Sequence, residues 1–383
     1  MKLISTGKII ATLVLAAFAT AAPAKEFFVY FGTYTNALSR GIYVARLDAD
    51  TGKISAPELA AKVANPCFLN LSPDRRFLYS ANSVKFDGNN GSVSAFTVDK
   101  KSGGLKLLNE KSSGGNGPCH VSVDASGKVL LAANYGSGSV KSFRLENDGS
   151  IGADGSRLQH TGSGVNTNRQ AAPHAHFICA DPGNRFALAC DLGLDRVMAY
   201  QLNTTNARLE VEHGYNLGDV PPGAGARHLA FSHDGKSVYV LNEMGCSISR
   251  FSWDAKNGLL ELGETISALP SGVELKKNFT AAEILVHPSG KFVYATLRGH
   301  DSVSVFAVNK KSGQLTFVQN ISSGGQMPRG LGIDPTGRWL FTGNQKSDNA
   351  VEFSIEAKTG KLTATGAELR IGSPVDVKFV AAE

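Results

Sequence analysis

The chain has 383 residues, 42% of them hydrophobic, and a formal net charge of +6. Its 39 basic residues are scattered along the chain rather than clustered, which argues against a nucleic-acid-binding surface. No later stretch is more hydrophobic than the N-terminal one, so the sequence predicts no membrane association once that stretch is removed.

The first predicted element is a secretory signal over residues 1–24. A basic start precedes an apolar run over Ile9–Ala22, and the small residues after it predict cleavage behind Ala24. The run is too short for a spanning helix, and no cysteine follows the cleavage site to carry a lipid anchor. We therefore expect a periplasmic or secreted protein in which residues 25–383 form one domain.

An internal repeat fills the rest of the chain. Each copy begins at a Pro or Ala anchor and carries alternating apolar residues on both sides of an Asp/Pro/Gly turn, which predicts a β-hairpin. A further strand pair follows each copy, so one repeat holds the four strands of a propeller blade. The six complete copies are Pro66–Asn82, Pro118–Asn134, Ala175–Asp191, Ala226–Asn242, Ala281–Leu297 and Pro328–Asn344.

The two ends of the chain complete one more blade. Segments Phe27–Thr35, Gly41–Asp48 and Lys53–Ala60 have the pattern of three strands that lack an inner strand. The partial copy Pro374–Val380 supplies that strand, which closes the ring and leaves no unpaired inner edge. The sequence therefore predicts an all-β, seven-bladed β-propeller with four antiparallel strands per blade.

Five cysteines leave at least one thiol unpaired within a single chain, and their spacing matches no zinc or redox pattern. Cys67 and Cys119 occupy the same repeat position, so a disulfide between neighbouring blades is possible. We favour the alternative, in which both are small apolar residues near the channel.

The position of a residue in the repeat predicts its place in the channel. Inner strands line the axis of a propeller, so residues just after each anchor and at the end of the second strand lie near one mouth. One position after the anchor stand Cys67, Cys119, His176, Arg227, Ala282 and Arg329. Two positions after it stand Phe68, His120, Phe177, His228, Glu283 and Gly330. Seventeen positions after it stand Ser83, Tyr135, Leu192, Glu243, Arg298 and Gln345.

Two histidines of one strand offer a possible metal site. His174 and His176 alternate along the strand and share a face, and Glu243, Glu283 or Asp191 could complete a ligand shell. We favour the alternative of two hydrogen-bonded imidazoles, because a third fixed ligand is missing from the pattern. No metal or cofactor is therefore expected, although a divalent metal stays an open alternative.

Arginines from different blades converge in the repeat register. Arg227, Arg298 and Arg329 suit the recognition of a carboxylate or phosphate, or the stabilisation of an oxyanion. The alternative is a network of Arg and Glu side chains that ties blades together, with Arg227 and Glu243 as its expected pair.

Stretches along the whole chain match a known family. They are Tyr30–Thr35, Gly41–Tyr43, Ala133–Val140, Pro173–His176, Asp191–Val197, Gly225–Phe231, Val240–Glu243, Ala282–Ile284, Arg298–Val303, Pro328–Gly337 and Gly343–Asn349. By these stretches the sequence resembles the seven-bladed lactonase family, which contains bacterial 6-phosphogluconolactonase and the fungal 3-carboxymuconate lactonizing enzyme. The resemblance implies a catalytic site of one His, two Arg and one Glu, which here fall at His174 or His176, Arg227, Glu243 and Arg298.

The leading functional hypothesis is hydrolysis of a small anionic lactone. Arg227 and Arg298 would hold a carboxylate or the developing oxyanion, while Glu243 or a histidine activates water. The further substrate-binding candidates are His120, His228, Glu283 and Arg329. One alternative is a cycloisomerase acting on a muconate-type dicarboxylate, and another is a non-catalytic binding propeller. The predicted export departs from the family, whose sugar-phosphate lactone is a cytoplasmic metabolite.

Overall fold

The computed structural model describes residues 25–84, 91–211 and 216–383. They form seven small antiparallel sheets arranged as the blades of a ring, so the predicted seven-bladed propeller is confirmed. No helix in these ranges has the length and apolarity needed to cross a membrane. The predicted signal over residues 1–24 lies outside the described residues and stays a prediction.

The strands follow the chain from blade to blade. The first three blades in chain order contain β1 (Glu26–Thr33), β2 (Gly41–Asp48), β3 (Glu58–Lys62), β4 (Pro66–Leu71), β5 (Phe77–Asn82), β6 (Ser92–Val98), β7 (Leu105–Ser112), β8 (Pro118–Val123), β9 (Val129–Asn134), β10 (Ser139–Leu145) and β11 (Ile151–Gln159). The next two contain β12 (Ala175–Ala180), β13 (Phe186–Asp191), β14 (Arg196–Asn203), β15 (Arg208–Glu210), β16 (Asn216–Asp219), β17 (Ala226–Phe231), β18 (Ser237–Asn242), β19 (Ser247–Asp254) and β20 (Leu259–Ser267). The last strands are β21 (Thr280–Val286), β22 (Phe292–Arg298), β23 (Ser302–Val308), β24 (Leu315–Ser322), β25 (Pro328–Ile333), β26 (Trp339–Asn344), β27 (Asn349–Ile355), β28 (Leu362–Arg370) and β29 (Pro374–Ala381).

The C-terminal strand closes the ring as predicted. β29 pairs antiparallel with β1, with Phe28 opposite Val380 and Phe31 opposite Val377. This sheet has the order β29-β1-β2-β3, so the last strand of the chain is the inner strand of the N-terminal blade. Closure leaves this inner strand paired rather than exposed as an edge.

Each inner strand carries a β-bulge at the predicted mouth. In all seven blades the pairing of the two innermost strands slips by one residue directly after the anchor. A bulge sets two residues of one strand against one of the partner and re-aims the side chains there. The residues at the slip are those that the repeat register singled out one and two positions after the anchor.

Tyrosines tie neighbouring blades together. Each stands on the second strand of a blade and donates its hydroxyl to a glycine carbonyl in a turn of the next blade, at 2.8–3.0 Å. A hydrogen bond of this kind contributes about 1 kcal/mol. The pairs are Tyr30 with Gly103, Tyr79 with Gly149, Tyr239 with Gly313 and Tyr294 with Gly360. The repeated ties hold the blades, and with them the channel residues, in fixed relative positions.

The five cysteines are free thiols. Cys67 is buried, and its Sγ lies 3.4 Å from the carbonyl oxygens of Ala81 and Pro118. Burial raises the pKa of Cys67 to about 11 and that of Cys119 to about 12, so both thiols are protonated at neutral pH. The expectation of small buried residues is confirmed, and the alternative disulfide is absent from the structure.

Candidate active site

A cavity of about 420 Å³ opens at the mouth of the channel. Its wall is built mainly from two repeat positions: the residue one after the anchor, and the residue seventeen after it. The lining residues are Tyr34, Ser83, Gly117, Pro118, Cys119, Tyr135, Gly136, Arg169, His176, Glu243, Thr280, Arg298 and Arg329. None of the residues two positions after an anchor belongs to this lining. The bulged strands therefore divide the predicted site into a mouth layer and a deeper channel layer.

Glu243 is the centre of the mouth layer and directly follows β18. Its Oε2 lies 2.9 Å from Arg227 Nε and 2.9 Å from Arg298 Nη2, and its Oε1 lies 2.7 Å from Arg169 Nη2. The carboxylate is only 5% exposed. Burial alone would raise the pKa of Glu243, but Arg298, Arg227 and Arg169 hold it well below its usual range. Glu243 is therefore ionised and is a weak proton acceptor at neutral pH.

Arg227 approaches this carboxylate from the same blade, and Arg298 approaches it from the next blade. Arg227 is not part of the cavity wall, and its Nη1 donates to the carbonyl of Ala282. Arg298 does line the cavity, and its Nη2 donates to the carbonyl of Ala281 at 2.8 Å. The predicted Arg227–Glu243 pair thus exists within a network across blades, and the same network forms one wall of the cavity.

The two candidate histidines lie in different surroundings. His176 is on β12, and His174 is in the loop before it. His176 lines the cavity, with its ring edge-on to Tyr135 at a centroid distance of 5.4 Å. His174 is not part of the lining: its ring stacks on Tyr135 at 4.4 Å, and its Nδ1 lies 2.9 Å from the Tyr135 carbonyl oxygen. By position, His176 is the candidate for contact with a substrate.

His176 is a neutral imidazole. Its Nδ1 is buried without a hydrogen-bond partner among the described residues. Burial, together with Arg227 and His228, lowers the pKa of His176 well below its ordinary value. At neutral pH the ring therefore retains a lone pair that can accept a proton.

The deeper channel layer holds the other predicted substrate-binding residues. His120 is sandwiched between the rings of Phe68 and Phe177, at centroid distances of 4.1 and 4.0 Å. His228 Nδ1 lies 2.9 Å from Glu283 Oε1. All of these side chains are at least nine-tenths buried, so the structure places His120, His228 and Glu283 below the cavity, and it places only Arg329 of the predicted set on the wall.

Burial disfavours both charges of the His228–Glu283 pair. It raises the pKa of Glu283 to about 7, while burial and Arg227 lower the pKa of His228 well below its ordinary value. At neutral pH the contact is therefore a hydrogen bond between a neutral imidazole and a carboxyl group that is only partly ionised, rather than a strong ion pair.

Arg329 provides a guanidinium on the wall beside Tyr34. It lies over the Tyr34 ring, with 5.6 Å between the guanidinium carbon and the ring centroid. A guanidinium over an aromatic face keeps its hydrogen-bonding groups available at its edge. Together with Arg169 and Arg298, it gives the cavity three arginines and one carboxylate, which favours an anionic ligand.

Arg169 and Tyr34 are two of the wall residues that the sequence analysis did not name as site candidates. Arg169 comes from the loop of residues 160–174 between β11 and β12, which carries no repeat position. The length of that loop is the sequence feature that could have pointed to Arg169, because long loops in compact domains often carry function. Tyr34 directly follows β1, so it holds the place in the closing blade that Tyr135 and Glu243 hold in theirs. Extending the repeat register through the ring closure would have found it.

A metal site was the open alternative for the histidines. In residues 25–84, 91–211 and 216–383, no three His, Cys, Asp or Glu side chains are grouped so that they could hold a metal ion. Asp191, one of the proposed partners, is hydrogen-bonded through Oδ2 to His160 Nδ1 at 2.6 Å and through Oδ1 to the His174 amide at 2.8 Å.

Comparison with known proteins places this architecture and site in a family. The family described as lactonase, 7-bladed β-propeller, matches residues 28–379. The 6-phosphogluconolactonase of Bacillus subtilis is 37% identical over 92% of this chain and 97% of its own length. The 6-phosphogluconolactonase of Formosa agariphila is 31% identical over 89% of this chain and 96% of its own length.

A solved structure agrees with these relatives. The periplasmic gluconolactonase of Pseudomonas aeruginosa superimposes with a TM-score of 0.86 at 30% identity, covering 94% of this chain and 100% of that protein. Its likeness extends over the whole ring rather than over a few blades. The chain therefore belongs to the seven-bladed β-propeller lactonase family.

Proposed function

We propose that this protein hydrolyses a small lactone that carries an anionic group, with the reaction taking place in the mouth cavity. Its family and its relatives named 6-phosphogluconolactonase and gluconolactonase support the reaction class. The observation that carries the proposal is the composition of one cavity wall. The lining of this one cavity contains the neutral imidazole of His176 and the guanidiniums of Arg298, Arg329 and Arg169.

In this mechanism His176 is the general base. It accepts a proton from a water molecule as the water oxygen attacks the lactone carbonyl carbon, and it returns that proton to the ring oxygen when the ester C–O bond breaks. The products are the free carboxylic acid and an alcohol on one chain. Glu243 is a poor base, because its guanidinium partners stabilise its ionised form.

Arg298 stabilises the negative charge that develops on the carbonyl oxygen. Its side chain is fixed by the Ala281 carbonyl and by Glu243, so the guanidinium is held in place before the substrate arrives. Arg227, which lies behind the wall, keeps Glu243 in position rather than contacting the substrate. Arg329 binds the anionic group of the substrate or of the product.

The test is a steady-state assay with sugar lactones and carboxylated lactones, using His176→Asn and Arg298→Gln. We expect kcat to fall about 10²–10⁴-fold for the loss of the base and about 10²–10³-fold for the loss of the oxyanion donor. His233→Asn is the matched control, because His233 is exposed and lies outside the cavity lining. An unchanged kcat in both site variants would rule out His176 as the general base and Arg298 as the oxyanion donor.

Isotope labelling separates hydrolysis from cycloisomerisation. In water enriched in oxygen-18, hydrolysis places one labelled oxygen in the carboxylate of the product, whereas a cycloisomerase incorporates none. Mass spectrometry of the product measures this directly.

We also propose that the protein acts outside the cytoplasm. The N-terminal pattern of residues 1–24 supports export, and the similar gluconolactonase of Pseudomonas aeruginosa is named periplasmic. N-terminal sequencing of the protein recovered from the periplasmic fraction should begin at Lys25. Recovery of the chain with an intact N-terminus in the cytoplasm would contradict this proposal.

A further inference from the structure

Two ring nitrogens in the channel are buried without a hydrogen-bond partner among the described residues: His176 Nδ1 and His228 Nε2. The two rings belong to neighbouring blades, and their centroids lie 5.1 Å apart at an interplanar angle of 62°. Buried polar atoms are almost always hydrogen-bonded, and rings at this separation are within reach of one bridging water molecule. The two nitrogens therefore mark a polar connection between the mouth layer and the channel layer.

The other nitrogen of His228 contacts a carboxyl group. His228 Nδ1 lies 2.9 Å from Glu283 Oε1, and the Ile284 amide donates to the same oxygen at 3.1 Å. The backbone amide of Glu283 donates to the Thr296 hydroxyl at 2.9 Å, and the Glu283 side chain is buried. The carboxyl group is therefore held against His228, on the side of the ring away from the unpartnered nitrogen.

The charge of Glu283 decides which nitrogen of His228 carries the hydrogen. An ionised Glu283 accepts from Nδ1–H, which leaves His228 Nε2 with a lone pair. A protonated Glu283 donates to Nδ1, which puts the hydrogen of the neutral ring on Nε2. Burial and Arg227 lower the pKa of His228 well below its ordinary value, so the ring stays neutral in both cases.

His176 carries this difference to the cavity. A bridging water donates to one ring nitrogen and accepts from the other, so the two rings hold complementary tautomers. When His228 Nε2 is an acceptor, His176 carries its hydrogen on Nδ1, and its Nε2 keeps a lone pair. When His228 Nε2 is a donor, His176 Nε2 carries the hydrogen and cannot act as a base. Because His176 lines the cavity and its Nδ1 is buried, Nε2 is the nitrogen available to the reaction.

His120 is the other imidazole beside His228, at a centroid distance of 5.5 Å. Its Nδ1 accepts from the Ile178 amide at 3.3 Å, which fixes the hydrogen of the neutral ring on Nε2. His120 also lies outside the cavity lining. It therefore packs against His228 without connecting Glu283 to the reacting atoms.

We propose that Glu283 and His228 are positioning residues that set the tautomer of His176, so that ionisation of Glu283 prepares His176 as the general base. This inference rests on the proposed function and adds a tautomer switch to it. Burial raises the pKa of Glu283 to about 7, so the switch operates near neutral pH. The titratable and charged groups around the pair are His120, His176, Arg227, Glu243, Arg329, Asp376 and Lys378.

The first experiment measures kcat/KM between pH 5.5 and pH 8 with mature protein and a carboxylated lactone, whose carboxyl group does not titrate in this range. In the parent, kcat/KM should rise about tenfold from pH 6 to pH 8, because a group with a pKa near 7 must lose its proton. In Glu283→Gln this rise should disappear, since the titrating group is gone.

His228→Gln separates the tautomer switch from a direct effect of charge. Glu283 still titrates in this variant, but the ring that links it to His176 is absent. We expect the rise in kcat/KM to disappear here as well. A rise of the parental size would show that Glu283 acts on the site through its charge alone and would overturn the switch.

The matched control is Glu352→Gln. Burial raises the pKa of Glu352 to about 7 as well, but this residue lies on β27, contacts Thr365 and is not part of the cavity lining. The control should keep the parental rise in kcat/KM. A flat profile there would show a general effect of losing a buried carboxyl group and would overturn the switch.

Nitrogen-15 spectra of histidine-labelled protein test the switch without turnover. The His176 signals, assigned by their loss in His176→Asn, should change from the Nε2–H to the Nδ1–H form as the pH rises through 7 in the parent, and should stay in one form in Glu283→Gln. Hydrolysis with the same pH profile in both proteins, and no change of tautomer, would overturn the switch alone. A change of tautomer in a protein that hydrolyses no lactone would overturn the proposed function while supporting the switch.

Discussion

Glu243 in the mouth layer and Glu283 in the channel layer are both 5% exposed. Their surroundings nevertheless shift the pKa values of the two carboxyl groups in opposite directions. Three guanidiniums lie within 2.9 Å of the Glu243 oxygens, and its pKa falls well below the ordinary range. Glu283 has one imidazole partner at 2.9 Å, and burial raises its pKa to about 7. Burial costs are similar, so the number of adjacent cations decides which charge state survives.

This difference in pKa indicates different roles for the two layers. The mouth layer concentrates fixed charge around a cavity, as electrostatic stabilisation of a developing anion requires. The channel layer packs imidazoles against Phe68 and Phe177, where an uncompensated charge is costly. The bulge after each anchor produces both layers from adjacent residues of one strand.

The largest expected effect is the loss of the mouth carboxylate. Glu243→Gln removes the shared partner of three guanidiniums, two of which are buried, and should lower the free energy of unfolding by about 3–5 kcal/mol at pH 7. Because the folded-state pKa of Glu243 is lowered, this contribution is present above about pH 4.5 and is lost as the pH falls below it. Urea unfolding at several pH values measures both.

A surface ion pair provides the control for that variant. Glu26 lies 2.8 Å from Arg46, and both side chains are more than 40% exposed. Glu26→Gln should change the free energy of unfolding by less than about 1 kcal/mol. Equal effects at the two positions would mean that the mouth network does not hold the blades together.

The channel carboxylate should give the opposite pH dependence. The pKa of Glu283 is about 7 in the folded protein and near 4.5 in the unfolded chain, so its contribution to stability is full below pH 4.5 and is lost as the pH rises to 7. The charged and titratable groups around it are His228, Lys378, Arg227, Arg329 and Asp376. In Glu283→Gln this decline, about 3 kcal/mol for a shift of this size, should disappear.

Glu352 offers a second buried carboxyl for comparison. Burial raises its pKa to about 7 as well, but its hydrogen-bond partner is Thr365 rather than a histidine. Glu352→Gln should likewise reduce the decline in the free energy of unfolding as the pH rises from 4.5 to 7, because burial raises the pKa of both carboxyl groups. Chemical unfolding between pH 4.5 and 8 checks both variants, and a wild-type slope in Glu283→Gln would contradict the assignment.

The sequence predicted the architecture because the repeat is strong. Six copies align without gaps, and the alternation of apolar residues fixes which side of each strand is buried. Ring closure followed from the same pattern, since Pro374 continues the series of anchors. These features are set by local sequence and by the need to pair inner strands.

The division of the site into layers was beyond the sequence pattern. The bulge that separates His176 from Phe177, or Arg227 from His228, has no residue signature in this repeat, so both positions were expected near the mouth. Arg169 lies in a loop outside the repeat, and its contact with Glu243 spans 74 positions in the chain. Such a long-range contact depends on how blades are placed around the ring rather than on local propensity.

The smallest expected effect concerns the third guanidinium of the mouth. The side chain of Arg169 is 38% exposed, whereas that of Arg298 is 7% exposed, although both contact Glu243 within 3 Å. Solvent screens the Arg169 contact, so Arg169→Gln should lower the free energy of unfolding by less than about 1 kcal/mol. Arg298→Gln should cost about 3–5 kcal/mol, because it breaks a desolvated pair. Urea unfolding of the two variants in parallel measures the difference, and equal losses would show that Arg169 is as much a part of the buried network as Arg298.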